Sequence, residues 1–187
     1  VDLHSGQIQG FFDMPVDNLF TTPIFARYIK KNIKSKNFIC VSPDAGAIER
    51  TRALATKINA DLAIIDKRRP EPGKSKVMNI IGDVKGKDCI IIDDIIDSGG
   101  TIINAADALV KKGARNVYVF ITHAVLSGEA IKNIQKSRIK KLVITDTIDN
   151  SKKIKKANKI QVLSISQLMA EAIKRISNST SVSSLFN

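Results

Sequence analysis

The sequence predicts an α/β fold in which a mainly parallel sheet is flanked by helices. Strand-like apolar runs alternate with helical patterns along most of the 187 residues, which is typical of a parallel sheet covered on both faces. The run Ile90, Ile91 and Ile92 is apolar throughout, as expected of a strand buried on both sides. Polar residues suited to a ligand follow several of the predicted strands, at the edge where such sheets bind ligands.

The first sixty residues predict two helices and two strand segments. Residues 1–4 resemble the end of a strand, and residues 37–41 form a short apolar strand. Pro23 suits the first turn of a helix, whose apolar positions are Ile24, Tyr28, Ile29 and Ile33. A second helix is predicted over residues 45–58, with Asp44 as its N-cap.

The middle of the chain contains the predicted central strand. Residues 62–66 and 77–81 read as strands, and between them residues 67–74 contain two prolines, a glycine and no apolar side chain. That composition predicts an exposed, mobile loop. The central strand ends in Asp93 and Asp94, and after the loop 97–101 a helical pattern begins that Gly113 can stop.

The last third of the chain continues the alternation. Strands are predicted over residues 116–122, 141–145 and 159–165. Ser127 is the expected cap of a short helix through Ile134, and Ser166 that of a helix over 167–176. The sequence contains no internal repeat and no interdomain linker, so residues 1–187 are predicted to form essentially one domain.

Composition excludes several classes of function. No apolar run is long enough to span a membrane, and the start of the chain is not a signal peptide. The net charge is +12, but the lysines are scattered and no aromatic residues lie between them, which disfavours nucleic-acid binding. Cys40 and Cys89 lie in apolar strand-like runs, as expected of buried thiols in a reducing cytoplasm.

The loop 97–101 has the chemistry of a phosphate site. The first N–H groups of the helix that follows lack intrahelical partners and favour an anion. Gly99 and Gly100 allow the backbone to approach a phosphate closely, and the hydroxyls of Ser98 and Thr101 can donate as well. The carboxylates of Asp93 and Asp94 suit sugar hydroxyls or a substrate-borne Mg²⁺. The stretch therefore predicts a sugar phosphate as ligand, with a solvated acidic turn as the alternative.

Residues 90–101 resemble the loop that binds phosphoribosyl diphosphate (PRPP) in the type I phosphoribosyltransferase fold. Four other motifs extend the resemblance along essentially the whole chain: residues 2–13, 41–46, 67–69 and 181–186. Together they are similar to the ribose-phosphate diphosphokinase family (PRPP synthetases). The resemblance is to the carboxyl-terminal part of that enzyme, with residues 1 to about 20 joining it to a domain outside this chain.

The resemblance implies a reaction and a set of roles. The family transfers the diphosphoryl group of ATP to the 1-hydroxyl of ribose 5-phosphate, giving PRPP and AMP for nucleotide biosynthesis. By resemblance, Lys67 and Arg69 are the catalytic cations of a mobile loop, and His4 and Asp44 position Mg²⁺ and ATP. The ribose 5-phosphate site would consist of Asp93, Asp94, Asp97, Ser98, Gly99, Gly100 and Thr101.

Regulation and assembly are also expected from the family. Family members have an allosteric phosphate or nucleotide site, which here would involve Gln9, Asp17, Asn18, Ser181 and Ser183. A cytoplasmic homo-oligomer is expected, built from dimers into a hexamer, with no nucleic-acid or membrane partner.

Ala47 stands where the family usually has a second glycine, and Ser98 where threonine is common. The family's amino-terminal half, which supplies much of the ATP contact, is absent from this chain.

Taken singly, these residues have simpler explanations. His4 alone suits a strand-end histidine, Asp44 a helix cap, and Lys67 to Arg69 a solvated turn. A type I phosphoribosyltransferase would share the loop 93–101 but would not be expected to carry the motif at residues 4–13 or the one at 67–69. A non-catalytic regulatory paralogue would not need His4, Asp44, Lys67 and Arg69.

Overall fold

A computed structural model of the chain describes residues 1–35, 37–68 and 77–186, with the backbone alone at 67, 68, 77 and 78. Its seven strands are β1 (Phe38–Ser42), β2 (Asp61–Arg68), β3 (Val77–Ile81), β4 (Asp88–Ile96), β5 (Asn116–Ala124), β6 (Lys141–Thr145) and β7 (Ile160–Leu163). They form one sheet in the order β3-β2-β1-β4-β5-β6-β7. Every neighbouring pair is parallel except β2 and β3. The predicted α/β fold with a mainly parallel sheet is confirmed.

Helices cover both faces of this sheet. They are α1 (Thr22–Asn32), α2 (Ile48–Ile58), α3 (Gly100–Lys111), α4 (Ala130–Lys136) and α5 (Ser166–Ser177), with 3₁₀ segments at Gly6–Phe11 and Ser183–Leu185. Ile90 packs in one core cluster with side chains of α1 and α2. Ile91 packs in the other with side chains of α3 and α4. Successive residues of a strand point to opposite faces, so the apolar run is buried on both sides, as predicted.

The central strand is longer than the sequence suggests. It continues through Asp93 and Asp94 to Ile96, so the two acids lie within the strand and not at its end. The neighbouring strand supplies the reason, because β5 pairs with β4 as far as Ile96, which is opposite Ala124. The helix after the loop begins at Gly100, so Gly100 and Thr101 belong to its first turn.

Tertiary pairing also corrects other predicted boundaries. Residues 1–4 are not a strand. β2 runs on through Lys67 and Arg68 because these pair with β3, so these two residues do not belong to the predicted loop. The rest of that loop lies outside the described residues. The predicted caps are wrong: the N-cap residues are Ala47 instead of Asp44, Glu129 instead of Ser127, and Ile165 instead of Ser166.

The two cysteines are free and fully buried on adjacent strands. Burial raises the pKa of both thiols to about 12, and the second thiol adds to the effect at Cys40. At pH 8 we therefore expect neither thiol of the folded chain to react with a thiol reagent, because the thiolate is the reactive form. Both should react at once in denaturant. Labelling of either cysteine in the native chain at the rate of an exposed thiol would contradict this expectation.

No helix in the described part of the chain combines the length and the apolar character needed to cross a bilayer.

Candidate active site

A cavity of about 570 Å³ opens at the carboxyl ends of β1 and β4. It brings together most of the predicted site residues from three separate parts of the sequence. Those that line it are His4, Asp44, Asp93, Asp94, Asp97, Ser98, Gly99, Gly100 and Thr101. The carboxyl edge of a parallel sheet explains this convergence, since the loops after adjacent strands meet there.

Asp94 is the most tightly held carboxylate of the cavity. Its side chain is 3% exposed; Oδ2 lies 2.7 Å from His4 Nδ1, and Oδ1 lies 2.9 Å from Arg50 Nη1. Burial acts to raise the pKa of Asp94, but the contacts with His4 and Arg50 outweigh it and leave that pKa below its usual range. Asp94 is therefore the carboxylate of the pair that ionises at the lower pH.

Asp93 has the opposite electrostatic character. Its Oδ1 accepts a hydrogen bond from the Asp94 backbone N–H at 3.0 Å, and it lies 3.5 Å from Arg50 Nη1. Burial, together with the neighbouring Asp94 carboxylate, raises the pKa of Asp93 above its usual range. The pKa values of two adjacent carboxylates in one cavity are thus shifted in opposite directions because their partners differ.

The loop 97–101 connects β4 to α3 and presents the amino end of that helix to the cavity. Gly99 adopts φ +80° as the N-cap residue, a left-handed conformation that favours glycine. No side-chain hydrogen bond caps the helix, so its first N–H groups remain available to a ligand. Ser98 and Thr101 are exposed beside them. This is the geometry of a phosphate cradle.

Asp44 contributes a turn at the opposite wall of the cavity. Its Oδ1 accepts hydrogen bonds from the backbone N–H groups of Gly46 at 3.1 Å and Ala47 at 3.2 Å. Its backbone oxygen accepts one from the Ser42 hydroxyl at 2.6 Å. The carboxylate therefore shapes the turn that leads into α2, although it is not the helix N-cap.

The amino-terminal segment holds His4 over Asp94. Asp2 Oδ2 accepts hydrogen bonds from the hydroxyls of Thr21 at 2.6 Å and Thr122 at 2.7 Å. His123 Nε2 lies 2.8 Å from the backbone oxygen of Val1. His123 had no predicted role, and the structure assigns it this anchoring contact. The side chain of His4 is 74% exposed, so most of it is accessible to solvent although Nδ1 contacts Asp94.

A second cavity of about 480 Å³ adjoins the first and shares His4, Gly46 and Arg50 with it. Gln9 and Asn18, two of the predicted allosteric residues, line this cavity, and Asp17, Ser181 and Ser183 do not. The tail reaches it through Phe186, whose ring packs edge-on against Phe20 at 5.4 Å. Ser181 and Ser183 pair with each other at 2.9 Å instead.

Sequence reasoning missed Arg50. It lies in the first turn of α2, carries no motif of its own, and contacts both Asp93 and Asp94. The only available signal was a basic residue one turn after the Asp44 loop. Of the two predicted catalytic cations, Lys67 lies near the end of β2, and Arg69 lies outside the described residues.

The residues present fit a divalent cation that is only partly held by protein. Among the described residues, no group of three or more His, Cys, Asp or Glu side chains converges as a metal site. Asp93 and Asp94 offer neighbouring carboxylate oxygens at the cavity. Mg²⁺ suits such a pair, because it keeps several waters and binds through one or two carboxylates together with substrate phosphates.

Comparisons with known proteins agree on one family. The model of the phosphoribosyl synthetase-associated domain matches residues 70–187. A ribose-phosphate pyrophosphokinase of Brucella melitensis is 57% identical over 187 residues, and one of Rhizobium meliloti is 55% identical; each match covers 100% of this chain and 60% of the relative. The crystal structure of phosphoribosylpyrophosphate synthetase from Mycobacterium smegmatis matches with a TM-score of 0.86 at 35% identity, covering 95% of this chain and 57% of that one.

The chain thus spans about 60% of the length of these relatives. The expectation that it corresponds to their carboxyl-terminal part, with a joining segment over residues 1 to about 20, stays a prediction.

Proposed function

The chain belongs to the family of the phosphoribosyl synthetase-associated domain, and from this premise we propose that it works as part of a ribose-phosphate diphosphokinase. The proposed reaction transfers the diphosphoryl group of ATP to the 1-hydroxyl of ribose 5-phosphate and releases AMP. One observation carries the proposal: the loop 97–101, Asp93, Asp94 and His4 line a single cavity. That cavity combines a phosphate cradle with acceptors for sugar hydroxyls.

Ribose 5-phosphate would bind along this wall of the cavity. The N–H groups at the start of α3 and the hydroxyls of Ser98 and Thr101 would hold the 5-phosphate, with Asp97 and the two glycines shaping the loop. Asp93 and Asp94 would accept hydrogen bonds from the ribose hydroxyls. This arrangement would point the 1-hydroxyl away from the cradle and toward the opening beside His4.

His4 and Asp44 are proposed to position ATP with Mg²⁺. The metal would neutralise phosphate charge when bound, and the protein's part is to orient the two substrates in line. Lys67 and Arg69 are proposed to stabilise the charge that develops on the transferred group. In support, β2 runs parallel to β1, so Lys67 emerges at the sheet edge that also carries Asp44.

The proposal includes regulation and assembly. Gln9, Asp17, Asn18, Ser181 and Ser183 would form an allosteric anion site, supported by the cavity that Gln9 and Asn18 line. We also propose a homo-oligomer of dimers, acting in the cytoplasm, in which further protein supplies the rest of the ATP site.

A phosphorus NMR time course of this chain with Mg²⁺, ATP and ribose 5-phosphate tests the function. Formation of AMP and PRPP would support the full reaction. If no product forms, a shift of the 5-phosphate resonance on binding would support the sugar-phosphate half of the site.

The matched variant for this test is Thr101→Val, which keeps the shape of the side chain and removes the hydroxyl. We expect it to weaken ribose 5-phosphate binding about tenfold, because hydrogen bonds to charged groups contribute about 1.5–3 kcal/mol. Thr56→Val, at an exposed position on α2, should leave binding unchanged. If saturating ligand gives no product and no shift of the 5-phosphate resonance, the proposed site in this chain is refuted.

A further inference from the structure

Arg50 connects the two cavities of the site. Its side chain lines both of them, and it is 25% exposed. In the first cavity its Nη1 atom lies 2.9 Å from Asp94 Oδ1 and 3.5 Å from Asp93 Oδ1. A single cationic group therefore contacts both carboxylates to which the proposed function assigns the sugar hydroxyls, and which also offer oxygens to a divalent cation.

The contacts around the pair leave little room for a second cation. Asp94 Oδ2 is taken by His4, Asp94 Oδ1 by Arg50, and Asp93 Oδ1 by Arg50 and the Asp94 backbone N–H. At least three of the four carboxylate oxygens thus have partners in the ligand-free chain. A divalent cation at this pair would compete with Arg50 for the same oxygens, and the guanidinium would also repel it.

We propose that Arg50 is a positioning residue. In the ligand-free protein its guanidinium contacts the carboxylates of Asp93 and Asp94, and it moves away from them when the divalent cation binds. The inference rests on the proposed function, which brings Mg²⁺ to the cavity that Asp93 and Asp94 line. Arg50 contacts both side chains and so links them before a cation arrives. It also keeps the pair from binding a cation tightly before the sugar phosphate arrives.

The second cavity gives the displaced guanidinium a place to go. Arg50 already lines that cavity, as does the exposed side chain of Glu49. Turning away from Asp93 and Asp94 would therefore move the guanidinium toward the second cavity, which Glu49 also lines. This movement of the guanidinium does not bury an unpaired charge, a step that would have a large free-energy cost.

The test is a Mn²⁺ titration of the 187-residue chain without sugar phosphate, with the free ion followed by electron paramagnetic resonance. Arg50→Met removes the competing charge, and we expect it to bind Mn²⁺ about tenfold more tightly than the wild type, because a unit charge within a few ångströms contributes on the order of kilocalories. Arg50→Gln keeps an amide donor for the carboxylates but not the charge, and should show the same tightening. Arg50→Lys, which keeps the charge, should stay near the wild-type affinity.

Arg52→Met is the matched control. Arg52 is exposed on the same helix, so its removal changes the net charge equally but does not free the carboxylates, and Mn²⁺ affinity should change less than twofold. A purely structural role of Arg50 would make its loss weaken Mn²⁺ binding. Unchanged or weaker binding in both Arg50→Met and Arg50→Gln, with thermal unfolding like that of the wild type, would overturn the inference.

The result of the Mn²⁺ titration can be distinguished from the result of the test of the proposed function. Absence of ribose 5-phosphate binding to the wild type would refute the proposed site, whereas the sign of the Mn²⁺ effect is read without any sugar phosphate. Tightening in both variants supports the displacement even if turnover requires further protein.

Discussion

Replacing Asp94 with asparagine is expected to weaken Mg²⁺-dependent binding of ribose 5-phosphate by about 100-fold, since lost charge-assisted hydrogen bonds in a buried setting amount to about 2–3 kcal/mol. The side chain is 3% exposed and accepts from both His4 and Arg50. An asparagine has one acceptor oxygen, so its NH₂ group would face one of these two donors. The variant therefore loses the charge that attracts the cation and disturbs the geometry of both partners.

Calorimetric titration of ribose 5-phosphate into the chain, with and without Mg²⁺, measures this effect. Asp61→Asn is the control, because Asp61 is 75% exposed and pairs with Lys87 at the opposite edge of the sheet. It should bind like the wild type. Affinity of Asp94→Asn within threefold of the wild type, in a chain with an unchanged circular dichroism spectrum, would exclude Asp94 from the ligand site.

The largest expected loss of stability comes from Gly82→Ala, at the end of β3. Gly82 has φ +114°, and an added Cβ would lie 2.8 Å from Ala63 Cβ and 3.1 Å from Ala63 Cα. The neighbour is a buried strand residue and cannot rotate away. Overpacking and left-handed backbone strain together are expected to lower the free energy of unfolding by about 3 kcal/mol, which lowers Tm by about 10 °C.

Thermal and urea unfolding measure the loss, and Gly86→Ala separates its two causes. Gly86 also has a positive φ, +70°, but an added Cβ would meet nothing within 4 Å. Gly86→Ala should therefore lower the free energy of unfolding only through backbone strain, by about 1 kcal/mol. Equal losses in the two variants would show that the contact with Ala63 relaxes freely. Because β3 pairs with β2 as far as Lys67 and Arg68, we also expect Gly82→Ala to perturb the strand that leads to the proposed catalytic loop.

Much of the fold could be predicted because its signals are local. The apolar run at Ile90 to Ile92 and the alternation of strands and helices depend on residues that are neighbours in sequence. Strand and helix ends were less predictable. β4 extends past Asp93 and Asp94 because β5 pairs with it, and β2 extends through Lys67 because β3 does. The pairing partner lies far along the chain, so the residues at the strand end do not indicate where the pairing stops.

The local structure of residues 93–101 could be predicted from the sequence, because the strand end, the glycine turn and the helix start are consecutive in the chain. The contacts around this segment depend on the tertiary structure. Arg50 meets Asp93 and Asp94, and Asp2 fixes the segment that carries His4 by accepting from Thr21 and Thr122. Backbone preferences act over a few neighbouring residues and can therefore be predicted from the sequence. Ion pairs and hydrogen bonds between distant segments form only after the sheet has brought those segments together.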